Sequence, residues 1–263
     1  MAFRMLTCHF VGATVAWLFF LAGIPAALAQ SHPPKEQIEF SANVEKLKGH
    51  LLVSLELYEK GEATAAAIHA AHPIQELWGR IRAPIGGASA ELAARISSLL
   101  EKPNREIEAK VPPKHYSQTV REIFSAIDQA ENRIVPVRAR EDLSFRAKLI
   151  LELLEEVVEE YSEGVQEGKV IQFVEYQDAF GFFRRAHALY RTITGALKKK
   201  DPASTRTIDG ALAELARGLA KVTPPEKPLS TDRVRDLVKR VVNELGACRS
   251  SGHEPSSDRG ERE

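Results

Sequence analysis

Cysteine is nearly absent from this chain, with Cys8 and Cys248 the two it has. Cys8 falls in an apolar leader segment, so the processed chain keeps Cys248 alone and no disulfide within it can form. Stability must then come from a packed core. Cys248 sits near a charged tail and reads as an incidental exposed thiol, the alternative being a bridge between chains. Neither sign of charge dominates either. Lys and Arg number 36, as do Asp and Glu, so no basic stripe offers an electrostatic reason to bind nucleic acid. The signatures of chemistry are also missing. There is no H-E-x-x-H helix, no paired E-x-x-H of di-iron bundles, no C-x-x-C-H, no G-x-S-x-G elbow and no phosphate loop. With no nucleophile–base arrangement and no cofactor motif, a non-enzymatic protein is expected.

What is present begins with that leader. Arg4 supplies a positive start, Phe10 to Leu21 is apolar, and Gly23 and Pro25 break the helix. Ala27-Leu28-Ala29 places small residues where a signal peptidase cuts. Residues 1–29 are therefore expected to be a signal peptide cleaved before Gln30, which leaves 234 of the 263 residues and puts the protein in the periplasm. The alternative is a retained anchor, since this run just reaches the ~20 residues needed to cross hydrocarbon. No second run of that kind follows, so no membrane span is expected after cleavage.

The rest reads as helix throughout. Apolar residues recur at three- and four-residue steps, and no alternating strand-like run extends beyond a few residues. Val44, Leu47, Leu51, Leu55 and Tyr58 share one face of a helix over 41–60, which Gly61 interrupts before an Ala-rich helix over 62–71. Further helices are predicted across 74–82, 88–101, 116–134, 140–166, 170–199, 205–221 and 230–247. Prolines at 73, 103, 112, 113, 136, 202, 224 and 225 punctuate them. Short connections imply antiparallel neighbours, so the fold class is all-α: an antiparallel bundle or stacked helical hairpins. The expected organisation is a flexible lead-in at 30–40, a helical domain over 41–248 with a sub-boundary near 103–115, and a disordered tail at 249–263. Residues 49–73 faintly echo a tetratricopeptide unit, but the rest of the chain lacks the further units that an array needs.

Two groups of residues are candidates for a site. His50 lies eleven residues before Gly61 and His72 eleven after it, so across a helical hairpin they stand at similar height. His69 is one turn from His72, and Glu76 follows His72 by four residues. Three imidazoles and a carboxylate suit iron, copper or zinc. The plain alternative is that His50 sits beside the apolar stripe and His72 ends a helix. The second group is Glu160, Glu163, Glu175 and Asp178, which a turn near Gly164 and Gly168 would bring together as ligands for a cation. Glu152, Glu155, Glu156, Glu159, Glu160 and Glu163 otherwise read as one solvated helix face. Glu175 and Asp178 stand apart, because they introduce an aromatic run. His187 shares a stripe with Tyr176, Phe180, Phe183 and Tyr190 and is expected to be a core histidine; it lies about 18 Å along the helix from Glu175.

The stretch EYSEGVQEGKVIQFVEYQDAFGFF, residues 160–183, resembles the helical periplasmic region of some bacterial iron permeases of the oxidase-dependent type. The likeness rests on Glu160-Tyr161, Gly164-Val165, Gly168-Lys169-Val170 and Glu175-Tyr176. The R-E-x-x-E motif of the permease's own membrane helix is missing, as is the H-x-x-E of imelysin-like iron-uptake proteins, where His72 and Glu76 are one residue too far apart. The resemblance implies an accessory to metal uptake, with iron as the metal ahead of copper or zinc, and a membrane metal permease or another envelope protein as partner. The metal candidates are thus His50, His69, His72, Glu76, Glu175 and Asp178. The competing expectation is a helical adaptor that binds no metal.

Overall fold

Proline and glycine do much of the work of dividing this chain. In the computed structural model, which describes residues 34–250 and side chains as far as Gly246, the first helix α1 (Lys35–Glu59) starts directly after Pro34. It begins inside the stretch expected as a lead-in. The leader and residues 251–263 lie outside the described residues. Gly61, with φ +83°, makes the left-handed turn that a Cβ would strain, and α2 (Ala63–His72) returns against α1.

Pro73 has no N–H to give the turn before it, and a wide π-helical segment, Pro73–Trp78, follows at once. Then come α3 (Gly79–Ala88), α4 (Ala90–Leu100) and α5 (Lys102–Glu108). Ser89 caps α4 by accepting from Leu92 N. After Pro112, α6 (Pro113–Ile134) is long and one-sided, burying Tyr116, Val120, Ile123 and Ile127. A short α7 (Val137–Glu141) leads to α8 (Leu143–Gly164), capped by Asp142. The pairs β1 (Val165–Gln166) and β2 (Lys169–Val170) form a two-residue hairpin. Its loop residues Glu167 and Gly168 have φ of +50° and +71°, as a hairpin turn matched to strand twist requires. Next are α9 (Phe173–Lys200), α10 (Pro202–Gly218), whose cap Asp201 accepts from Ala203 N and Ser204 N, and α11 (Thr231–Ser250).

The described residues are all-α apart from that hairpin, which periodicity did not reveal because each strand is two residues long. Two short helices, α5 and α7, were also not predicted, and α11 runs two residues into the expected tail. Helices α8, α9, α10 and α11 close into a ring of neighbours, α8 on α9, α9 on α10, α10 on α11 and α11 on α8. Helix α1 lies against α8 and α9 from outside this ring.

Helix α8 packs along α9. Leu149, Leu153, Phe180, Phe183 and Ile193 are buried, while Leu189 is only half-buried. Tyr161 and Tyr176 approach at 6.0 Å between rings, and both are fully buried. Their hydroxyls donate to the carbonyls of Leu229 and Gly218, which anchors the α10–α11 connection. Gly164 is where α8 meets the start of α9, since a Cβ there would fall 2.6 Å from Tyr176 N.

A second close approach positions the site. A Cβ on Gly181 of α9 would lie 2.9 Å from Gly49 O, and one on Gly49 would lie 3.2 Å from Gly181 C. The two backbones touch, which puts Gly49's neighbour His50 beside the turn of α9 that carries Asp178. Buried charges brace the same approach: Glu45 accepts from Lys48 at 2.9 Å and from Arg185 at 2.7 Å, and Lys48 reaches Asp128 on α6 at 2.7 Å. Gly181→Ala is expected to push α1 off α9. Overpacking of this kind costs about 1–3 kcal/mol, to be read in a urea melt. A structure of the variant should show His50 Nδ1 moved beyond hydrogen-bond distance of Asp178. Gly195→Ala, which has open space around its Cβ position, serves as the control.

Candidate metal centre

His50 and His69 lie on different helices, yet both end on the same carboxylate. His50 is carried by α1, His69 and His72 by α2, and Asp178 by α9. His50 Nδ1 lies 2.7 Å from Asp178 Oδ1, His69 Nδ1 lies 2.9 Å from the same oxygen, and His72 Nδ1 lies 3.2 Å from Oδ2. His50 Nδ1 and His72 Nδ1 are 3.3 Å apart. One ligand atom from each of the four residues falls within 4.8 Å of every other. Three Nδ1 atoms therefore converge on one carboxylate. The side chains of His50, His69 and Asp178 are 1%, 0% and 4% exposed, and that of His72 is 12%.

The rings are held from behind. Phe182 meets His50 edge-on at 4.9 Å, and His72 does so at 4.8 Å from the other side. His69 Nε2 faces Gln177 Oε1 at 2.8 Å. With an ion in the centre, an Nε2–H donated there would leave the Nδ1 lone pair free to ligate it, the usual way an outer partner fixes the tautomer of a ligating histidine. Glu76, on the π-helical segment, brings Oε2 to 3.4 Å from His50 Nε2 and Oε1 to 3.7 Å from His72 Nδ1. Its side chain is half exposed.

Asp178 also belongs to a second cluster with Glu160 and Glu175, again with ligand oxygens within 4.8 Å. Glu163 does not join it; that residue points to solvent with Glu152, Glu155 and Glu159. Glu160, read both as a candidate ligand and as part of a solvated face, is half-buried, because the α8–α9 crossing covers it. Glu156 leaves that face too, paired with Lys46 of α1 at 2.5 Å. The acidic group and the histidine group, separate in the sequence, thus meet at one residue. His187 lies apart from both, stacked on Phe183.

The electrostatics follow from this crowding. Burial works against charge on His50, but the Asp178 carboxylate and its hydrogen bond outweigh it, and the imidazole pKa rises from 6.5 to about 9. Burial would raise Asp178, yet the charged His50 and the hydrogen bonds from three histidines hold it well below the ordinary carboxylate range. Glu76 is lowered by the facing His50 ring. Glu160 goes the other way, up to about 8, through burial first and then the carboxylates of Asp178 and Glu175.

The donor set fits a transition metal ion. With metal–nitrogen and metal–oxygen bonds of about 2.0–2.1 Å, a tetrahedral site has ligand–ligand edges of about 3.4 Å; here the contacts of the imidazoles with the two Asp178 oxygens and between His50 and His72 run from 2.7 to 3.3 Å, and one ligand atom from each residue lies within 4.8 Å of every other. Imidazole with carboxylate suits iron, copper(II) and zinc, and no thiolate or thioether is present to favour copper(I). Gly49, Gly181, Phe182 and Gln177 shape the centre and were not singled out in the sequence. The paired glycines were its one available signal, and that pairing is visible only once α1 lies on α9.

Fold and site together define a helical bundle whose interior gathers imidazole and carboxylate groups at metal-ligand spacing. Residues 136–251 match the family model of the iron permease-associated 4-helix bundle domain. This bears out the resemblance read at residues 160–183, and the match takes in the ring of α8 to α11. It links that part of the chain to iron permeases. No curated protein and no solved structure matches the chain. Asp178, Glu160 and Glu175 lie inside the matched region, whereas His50, His69, His72 and Glu76 precede it. Among the described residues no helix is long and apolar enough to cross a membrane.

Proposed function

We propose that this protein is a periplasmic, non-enzymatic accessory of an iron uptake system. It binds a transition metal ion, iron first, between α1, α2 and α9 and hands it on to a membrane permease. The observation that carries this reading is the convergence of three histidine Nδ1 atoms on buried Asp178 at ligand spacing. Buried imidazoles gathered for stability alone would repel one another when charged, and a cation replaces their protons with a single shared charge. Glu160 and Glu175 extend the donor set with further oxygens beside Asp178, which suits release towards a partner.

Metal analysis of untagged protein from the periplasm, followed by calorimetry with ferrous, cupric and zinc ions, tests the reading. Binding near one ion per chain is expected, and His72→Ala should weaken it at least tenfold with an unchanged circular dichroism spectrum. A wild type that takes up none of the three ions would retire the centre. The second reading, a helical adaptor without metal, is favoured by one observation: Ile171 and Phe173, at the start of α9, are 50% and 59% exposed, as a docking surface would be.

A further inference from the structure

The four inner ligands are shut away from water, so an ion needs a way in. His72 is the most exposed of them at 12%. One helical turn beyond it stands Glu76, a carboxylate that reaches the histidine group while its side chain stays half exposed. Glu76 faces two ligand residues at once: Oε1 is 3.7 Å from His72 Nδ1 and Oε2 is 3.4 Å from His50 Nε2. That His50 nitrogen is buried, and among the described residues the half-exposed Glu76 carboxylate is what faces it. It lies on the outer side of His50, opposite the Nδ1 that faces Asp178. Glu76 also sits in the π-helical turn Pro73–Trp78, a distortion common at functional sites.

We infer that Glu76, with His72, forms an outer capture site that takes a divalent cation from water and passes it to the inner ligands. The inference rests on the metal-binding reading above and deepens it by assigning the route. A solvated carboxylate attracts the ion while it still holds part of its water shell. Exchange of the remaining waters for His72 Nδ1 then draws the ion inward, where Asp178 and His69 complete the set. Glu76 itself stays outside the final set, so it lowers the barrier in both directions and changes the equilibrium little.

Stopped-flow binding of cobaltous ion, followed by its visible absorption, separates these roles with Glu76→Gln. The substitution is conservative and its side chain half exposed, so the fold is kept. The expected result is association at least fivefold slower, with dissociation slowed by a comparable factor and Kd within about threefold of the wild type. Unchanged association overturns the inference by removing Glu76 from the route. Slower association with unchanged or faster dissociation overturns it as well, because Glu76 is then a ligand of the final complex. Failure of the parent reading looks different: the wild type itself would bind no cobalt at equilibrium, and the route would fall with the centre.

Discussion

Asp178→Asn is expected to abolish metal binding at working concentrations, weakening Kd by at least about a hundredfold. The amide keeps the shape of the side chain but not the charge that three imidazoles face. Stability should fall as well, and the pH dependence of that fall identifies its cause. Asp178 has a lowered folded pKa, so its contribution is present above the ordinary value of 3.8 and is lost as pH falls through the folded pKa. His50 has a raised one, so its contribution is full below 6.5 and is lost as pH rises through about 9. The pair therefore stabilises the protein most between about pH 4 and pH 6.5. Breaking a buried pair by removing one partner costs about 3–5 kcal/mol, and this should appear in urea melts of the metal-free variant at pH 6. By pH 9.5 most of the difference should vanish, since His50 is then neutral in the wild type too. A penalty of equal size at both pH values would show that Asp178 acts through packing and not through charge.

Metal affinity is expected to climb about tenfold per pH unit from pH 6.5 to 8.5, roughly a hundredfold in all, because each ion must displace the proton of His50. The same proton explains an opposite trend in the metal-free protein. Both His50, at about 9, and Glu160, at about 8, bind protons more tightly folded than unfolded. The stability each contributes is complete below its unfolded value and disappears as pH rises through its folded value, so the metal-free protein should melt at lower temperature as pH approaches 9. Ion binding stabilises the folded state by mass action and should flatten that decline. Titrations at three pH values, with a pH indicator in weak buffer to count released protons, check both halves. An affinity independent of pH would place the ion away from His50.

The matched region covers only part of what the centre needs. Its helices α8 and α9 bring Asp178, Gln177, Glu160 and Glu175 to one end of the bundle, and α1 and α2 add every imidazole. If the bundle alone were the functional unit, it would offer oxygens without nitrogens, a set suited to hard cations. The added hairpin changes the chemistry to one that suits iron, copper or zinc. Substitutions in either half should therefore alter which ion is preferred, as well as how tightly it is held.

Much of this was legible in order along the chain. Prolines and glycines marked the helix ends because they remove a donor or permit a positive φ, both local effects. Counting outward from Gly61 put His50 opposite His72, since a helical hairpin conserves height on either side of its turn. The glycines at 164 and 168 marked the turn between α8 and α9. What the chain could not disclose is that Asp178 belongs with the histidines, a meeting of residues 128 apart in sequence for His50 and 109 for His69. Turn-counting places Asp178 near Glu160 and Glu175 and says nothing of α1. That meeting depends on Gly49 and Gly181 letting two backbones touch, and on Phe182 backing the His50 ring. Glu160, one of six glutamates that share a helix face, is half-buried because α9 crosses α8 beside it. Periodicity reports which face of a helix is apolar; only the packing of a third helix decides which polar residues are covered along with it, because covering depends on what crosses the helix and at what distance.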